Sequence, residues 1–274
     1  VKAVEYEFVK YHGLGNDFVF LEDLRGDLLP EGEELARLLC HRHFGIGADG
    51  LVLIVKDGDL FTMRIFNPDG SEAEMCGNAV RCMADYLLRQ GLASGPVLPI
   101  GTLAGVKEVQ ATGGLYRVDM GEPDLSFLGG GSLGIAESGR EWVCHPVSMG
   151  NPHGVVFVDE VDSLNLAVLG PALENAPVWP HKANIEFVQV LDQNRIKVRV
   201  WERGAGPTLA CGTGACAAAV VSMEQGHCQT PVRVGLPGGE LTIGWQEGGH
   251  VFMSGPATRV FAGRIDLEAL RSGR

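Results

Sequence analysis

Apolar residues recur with two different periods in this chain, and the two periods follow each other in a fixed order. FTMRIF at 61–66 sets aromatic and β-branched residues between turn formers, the composition of a strand. RIKVRVW at 195–201 has the same character. A loop bearing Pro and Gly follows each, NPDGSEAEM and ERGAGPTLA, and each loop ends at a cysteine, Cys76 or Cys211. Beyond the cysteine the period becomes helical. Val80, Met83, Ala84, Leu87 and Leu88 stand at i, i+3, i+4, i+7 and i+8 and so share one face. Ala215 to Val221 is apolar all round, which predicts a helix buried on every side. Gly91 and Gly226 are placed to stop the two helices.

The order strand, loop, cysteine, helix therefore occurs twice, at the offset of 135 residues that separates Cys76 from Cys211. The same offset pairs Asn16 with Asn151, Ala48-Asp49 with Ala183-Asn184, Arg64 with Arg199, Asn67 with Glu202, and Gly91 with Gly226. A gap-free repeat of this kind predicts two copies of one fold. Further strands are expected at 51–55, 116–120, 155–158, 185–191 and 250–254, and a shorter amphipathic helix over 32–45. GLASGPVLPIGTLAG and FLGGGSLG (127–134) read as loops, the second as the linker between repeats. The expected architecture is α+β: two pseudo-symmetric lobes, each a mostly antiparallel sheet or barrel around a central buried helix, with the active site in the cleft between them. The lobes are expected at 1–119 and 120–256, with the tail 257–274 packing on the first.

Composition narrows the function. A net charge of −12 argues against nucleic acid and anionic membranes as partners. No apolar run approaches the ~18 residues of a membrane span, and the first residues lack the pattern of a signal peptide. Seven cysteines, an odd number in a chain of 274 residues, do not make a disulfide framework and point to the cytoplasm. Neither C-x5-C (76–82) nor C-x4-C (211–216) has a companion Cys/His pair, so no metal is expected.

Two equivalent thiols suit the transfer of a proton from one face of a carbon to the other. The thiolate is the useful base, and a cysteine at a helix N-terminus has its pKa lowered toward neutrality. A general base works best there. Gly77 and Gly212 clear side-chain bulk where backbone N–H groups approach an anion such as a carboxylate. Those dipoles stabilise the charge that develops when the neighbouring carbon loses its proton, so no cofactor is expected. Asn16, Asn67, Asn151, Asn184, Glu202 and Arg203 supply amides, one carboxylate and one guanidinium, a set that suits a zwitterionic amino-acid head. His12 and His153 beside the Asn loops are read as hydrogen-bonding residues near the site.

HGLGNDF (12–18), RHFGIGADG (42–50), FNPDGSEAEMCGNAVRC (66–82), MGNPHGVVFV (149–158), ANIEFV (183–188) and WERGAGPTLACGTGACAA (201–218) resemble the diaminopimelate epimerase family. The motifs spread over most of the chain in the family's order. The resemblance implies a cofactor-independent epimerase that interconverts LL- and meso-2,6-diaminopimelate in lysine biosynthesis. Cys76 and Cys211 fall on the positions of its two proton-transfer groups. Gly77, Asn78, Gly212 and Thr213 match the backbone cradle for the reacting carboxylate. Asn67, Asn184, Glu202 and Arg203 match the set that holds the distal amino-acid end. Asn16 and Asn151 match further substrate contacts, with His153 nearby. Some family members have Gln where this chain has Gly50, so that contact does not carry over. The family often has Ser where Thr213 stands, which keeps the hydroxyl.

Two other readings stand beside this one. A proline-racemase-like enzyme on the same fold also uses paired cysteines but needs no clamp for a distal amino-acid end. A non-catalytic redox or metal-binding protein would use Cys76 and Cys211 as a reversible pair. The partner expected is a small-molecule amino-acid substrate, with a second copy of the chain as the candidate protein partner in a homodimer.

Overall fold

FTMRIF lies inside the strand Leu60–Phe66 of a computed structural model that describes residues 5–137 and 139–272. It runs antiparallel to Gly50–Asp57, where Leu51 faces Phe66, and parallel to Val97–Thr102. Gly50–Asp57 in turn lies parallel to Asn16–Glu22. Leu51 to Ile54 are all fully buried, as a strand covered on both faces requires. Glu5–Gly13 continues the sheet, with Asn16–Glu22 on one side and Thr258–Asp266 on the other, both antiparallel. The chain divides into two compact units, Val1–Val118 with Pro256–Arg274, and Asp119–Gly255.

Helix α1, Gly32–Leu39, packs Leu35, Ala36 and Leu39 on Val19, Leu21, Leu51 and Leu53. It is shorter than the stretch 32–45 read as helical. The chain turns instead at His41, whose Nδ1 accepts the N–H groups of His43 and Phe44 at 3.2 and 3.1 Å. Such local side-chain bonds compete with the helical ladder. Gly45 then passes so close to the helix end that a Cβ there would stand 2.2 Å from the Leu38 carbonyl.

Helix α2, Gly77–Arg89, is buried from Gly77 through Leu87, and not on one apolar face alone. Arg81 and Asp85 are inside because each is paired. Asp85 accepts from Tyr11 Oη at 2.8 Å, Tyr116 Oη at 2.6 Å and Arg89 Nε at 2.6 Å. Burial, and then the bond to Asp85, push both tyrosines upward, so their hydroxyls stay protonated donors. Removing a shared acceptor leaves buried donors unsatisfied. Asp85→Ala is therefore expected to cost about 1–3 kcal/mol of stability in urea unfolding; an unchanged midpoint would show that water replaces the carboxylate.

Part of GLASGPVLPIGTLAG, read as a loop, is the strand Val97–Thr102. Leu98 and Ile100 point inward, while Val97 and Pro99 point out. The alternation is strand-like, and Pro99 occupies an outward position opposite Glu108.

The second unit repeats this order. Pro152–Phe157 is parallel to Asn184–Asp192, which is antiparallel to Arg195–Glu202, itself parallel to Val232–Leu236. Strands Leu133–Glu137 and Arg140–Ser148 extend the sheet. FLGGGSLG lies within this unit, as a short 3-10 turn at Phe127–Gly129 and the start of a strand, so it does not divide the repeats. Helix α3, Leu166–Glu174, has no counterpart in the sequence reading; its Gly170 faces the Trp201 ring, where a Cβ would come within 2.1 Å.

Helix α4, Gly212–Glu224, is buried from Gly214 through Ser222. It packs against Pro152–Phe157, Asn184–Asp192 and Arg195–Glu202. Its alanines let those strands approach closely, and burying Val220 and Val221 contributes roughly 1.5–3 kcal/mol each. After α2 and α4 the chain takes the positive φ of +68° at Gly91 and +74° at Gly226, the left-handed turn that ends a helix.

Candidate active site

Each cysteine is the residue that opens the central helix of its unit. Cys76 has φ −141° and ψ 115°, and Cys211 has φ −111° and ψ 118°, the extended geometry of an N-cap. Their carbonyls accept the first helical bonds, from Val80 at 2.9 Å and Ala215 at 3.0 Å. The thiols thus stand where the first N–H groups of a helix have no partner inside it.

In the first unit a directed chain of side chains leads to Cys76. Arg81, fully buried, donates to Asn78 Oδ1 at 2.9 Å. That leaves Asn78 Nδ2 to donate to Asn16 Oδ1 at 3.1 Å, and Asn16 Nδ2 donates to Asp49 Oδ2 at 3.2 Å. Asn16 Oδ1 therefore presents an acceptor to Cys76 Sγ, 3.8 Å away. Asp49 and Asp17 each accept the other's backbone N–H, and Arg42 bridges both carboxylates. Burial opposes charge on Asp17, but Arg42, Lys10 and Asp49 together hold its carboxyl at about 2.

The second unit carries a different chain. Cys211 Sγ accepts from Gly214 N–H at 3.3 Å and lies 3.5 Å from Thr213 Oγ1. Asn151 Nδ2 donates to Thr213 Oγ1 at 3.4 Å. Behind it, His153 Nε2 faces Asn151 Oδ1 at 3.0 Å, and His153 Nδ1 faces Glu186 Oε1 at 2.8 Å. His153 and Glu186 are both fully buried.

Burial pushes the Cys211 thiol well above its ordinary range, and the charges of Glu202 and Glu186 add to the effect. The Thr213 hydroxyl and Gly214 N–H oppose it without prevailing. A helix start alone predicts a lowered pKa; here burial is the largest influence, and the direction is upward. Cys40, Cys82 and Cys144 are likewise raised by burial, so this shift does not by itself separate packing cysteines from Cys211.

The residues matched to the distal amino-acid end are placed less uniformly. Asn184 uses its amide internally, accepting from Arg203 N–H and donating to the Pro152 carbonyl, each at 2.9 Å. It fixes the backbone that carries Glu202 and Arg203. Glu202 accepts from the Thr208 hydroxyl, and Arg203 is exposed with Nη1 on the His181 carbonyl at 3.2 Å. Glu174 supports the same turn by accepting Gly204 N–H at 3.0 Å and Trp201 Nε1 at 2.8 Å. Asn67 is exposed in a turn of its own, bonded to Ser71 at 3.0 Å. His12 accepts Gly15 N–H at 3.2 Å, and at Gly50 a Cβ would meet the Phe66 carbonyl at 3.2 Å. Among the described residues no group of three His, Cys, Asp or Glu is arranged to hold a metal, and no helix is long and apolar enough to cross a membrane.

Sequence reasoning missed Asp49, Arg81, Glu174 and Glu186. For Glu186 a signal existed: it is the one charge in the apolar run IEFV, and the repeat offset sets it against Leu51.

The chain is similar to known proteins along most of its length. The chain is 47% identical to the diaminopimelate epimerase of Desulfitobacterium hafniense, over 96% of this chain and 99% of that one. It is 48% identical to that of Pelotomaculum thermopropionicum, over 93% and 97%. A solved hydroxyproline epimerase from Agrobacterium vitis, with bound trans-4-hydroxy-L-proline, shares the fold at TM-score 0.72 and 17% identity, over 96% of this chain and 93% of that one. A phenazine biosynthesis protein of the PhzF family from Enterococcus faecalis does so at TM-score 0.72 and 15%, over 96% and 99%. The family described as diaminopimelate epimerase matches residues 8–126 and 146–260, and the chain belongs to that family.

Proposed function

We propose that Cys76 and Cys211 are the two proton-transfer groups of a cofactor-independent epimerase that interconverts LL- and meso-2,6-diaminopimelate. One cysteine, as thiolate, takes the α-proton, and the electron pair left on carbon spreads into the carboxylate. The other, as thiol, delivers its proton to the opposite face. The two sulphurs end with their protonation states exchanged, so protons and charge balance. The observation that carries this reading is the placement of both sulphurs at the N-cap of equivalent buried helices.

Gly77, Asn78, Gly212 and Thr213 contribute the backbone N–H groups for the reacting carboxylate, where charge builds in the transition state. Asn16 and Asn151 contact the reacting end. Asn67, Asn184, Glu202 and Arg203 hold the distal end, Arg203 through its fork and Glu202 through its charge. The free thiols of all seven cysteines support a reducing compartment, the cytoplasm. Exposed Val260 and Phe261 on the strand Thr258–Asp266 support a homodimer.

The test is exchange in D2O. LL-diaminopimelate is expected to gain one deuterium at the epimerised α-carbon, and proline and hydroxyproline none. Deuterium in proline, with none in diaminopimelate, would move the assignment to a proline-racemase-like activity.

A further inference from the structure

The two units differ in what stands behind their cysteines. At the repeat offset, His153 replaces Phe18 and Glu186 replaces Leu51, so an apolar pair in one unit is a buried acid and imidazole in the other. Nothing in the fold requires this, because Phe18 and Leu51 fill the corresponding places without polar groups. Burying a carboxyl is expensive unless it is paired. Glu186 has one partner, His153, and its Oε2 has none among the described residues. Its Oε1 also reaches the cysteine's surroundings: a Cβ at Gly214 would lie 2.7 Å from Glu186 Oε1 and 3.2 Å from Cys211 Sγ.

Hydrogen-bond direction gives the pair a task. Asn151 Oδ1 can only accept, so the His153 nitrogen facing it, Nε2, carries a proton. The other nitrogen faces a carboxyl oxygen, so a second proton lies between His153 Nδ1 and Glu186 Oε1, on one or the other. With Oδ1 so engaged, Asn151 must present Nδ2 to Thr213 Oγ1. Thr213, accepting there, has its own hydrogen left for Cys211 Sγ. Without the second proton, Nδ1–H would serve the carboxylate and Nε2 would become an acceptor. Asn151 would then turn over, and the Thr213 hydrogen would be drawn away from the sulphur.

We propose that Glu186 is a positioning residue for proton transfer at Cys211: by sharing one buried proton with His153 it keeps the Asn151 amide donating to Thr213, which aims the Thr213 hydroxyl at the sulphur. Desolvation raises the Glu186 carboxyl, against the pull of His153, which favours retention of that proton. Among the described residues, Glu202 bears on this cluster from the Cys211 side and Cys144 from the Glu186 side. Stabilisation of the thiolate by Thr213 matters whenever Cys211 gives up its proton, and so in both halves of the cycle.

The proposal rests on Cys211 being a proton-transfer group, and two measurements separate the two claims. The first is the imidazole 15N and 1H spectrum of His153 in the whole protein, which reads the pair whatever the substrate. Nε2 is expected to carry the proton that faces Asn151 in wild type and in Glu186→Gln, whose amide can still donate to Nδ1. In Glu186→Leu, which installs the side chain of the other repeat, mixed tautomers are expected. The second is steady-state turnover. Glu186→Leu is expected to lower kcat about tenfold or more with KM changed by less than about threefold, while Glu186→Gln restores most of it. An unprotonated Nε2 in wild type overturns the proposal, as does full kcat in folded Glu186→Leu. If Glu186→Leu does not fold, the spectra and turnover of wild type and Glu186→Gln decide. Loss of Nε2–H in Glu186→Gln with undiminished kcat also overturns it. A wild type inactive on diaminopimelate would instead count against the function itself.

Discussion

Cys76→Ala and Cys211→Ala are each expected to lower epimerisation by about 10²–10⁴-fold, the range a positioned acid or base contributes. The reason is geometric. Inversion needs a proton removed on one face and delivered on the other, and each substitution deletes one of those acts. Binding is expected to survive better than turnover, because the N–H groups of Gly77, Asn78, Gly212 and Thr213 belong to the backbone and stay in place. Serine at either position is expected to fail as well, since its hydroxyl titrates far above a thiol. The measurement is the rate of change in optical rotation, starting separately from the LL and the meso isomer. Near-normal turnover by either alanine variant would end the two-thiol mechanism.

Gly214→Ala is expected to have the next largest effect. A Cβ there meets Glu186 Oε1 at 2.7 Å and Cys211 Sγ at 3.2 Å, so the fully buried Glu186 side chain must shift. Overpacking of this kind costs about 1–3 kcal/mol. The functional loss should exceed that, because the displaced atoms are the thiol and the carboxyl behind it. A tenfold or greater drop in kcat is expected, with the change in urea midpoint set by the smaller stability cost. Wild-type turnover in Gly214→Ala would mean that the sulphur and the carboxyl move apart freely.

The cysteines, their helices and the strands before them were legible because each leaves a periodic or repeated mark. Glycine beside both cysteines, a change from strand to helical period, and one offset for both halves all agree. The network behind the cysteines was not legible, for a physical reason. Glu186 and Arg81 are charges on elements that bury all their faces, and pattern reading assigns a lone charge to solvent. Arg81 is held inside by Asn78, Gly77 and Pro256, and Glu186 by His153, and such partners leave no periodicity. The end of α1 was misplaced similarly, because the His41 side chain competes for N–H groups that propensity assigns to the helix. Pro99 hid a strand by standing at an outward position of it.

The first unit closes its sheet with residues far apart in the chain: Glu5–Gly13 lies between Asn16–Glu22 and Thr258–Asp266. During synthesis Thr258–Asp266 are made after the whole of Asp119–Gly255. The usual order, in which the N-terminal domain folds first as the chain emerges, therefore cannot complete the first unit before Thr258–Asp266 is made. The second unit is contiguous in the chain, whereas one edge of Glu5–Gly13 stays uncovered until Thr258–Asp266 has been made. An unpaired edge of that kind is open to wrong partners. A chain cut short before residue 258 thus loses more than a tail: Glu5–Gly13, near its other end, is left without the strand that covers one of its edges.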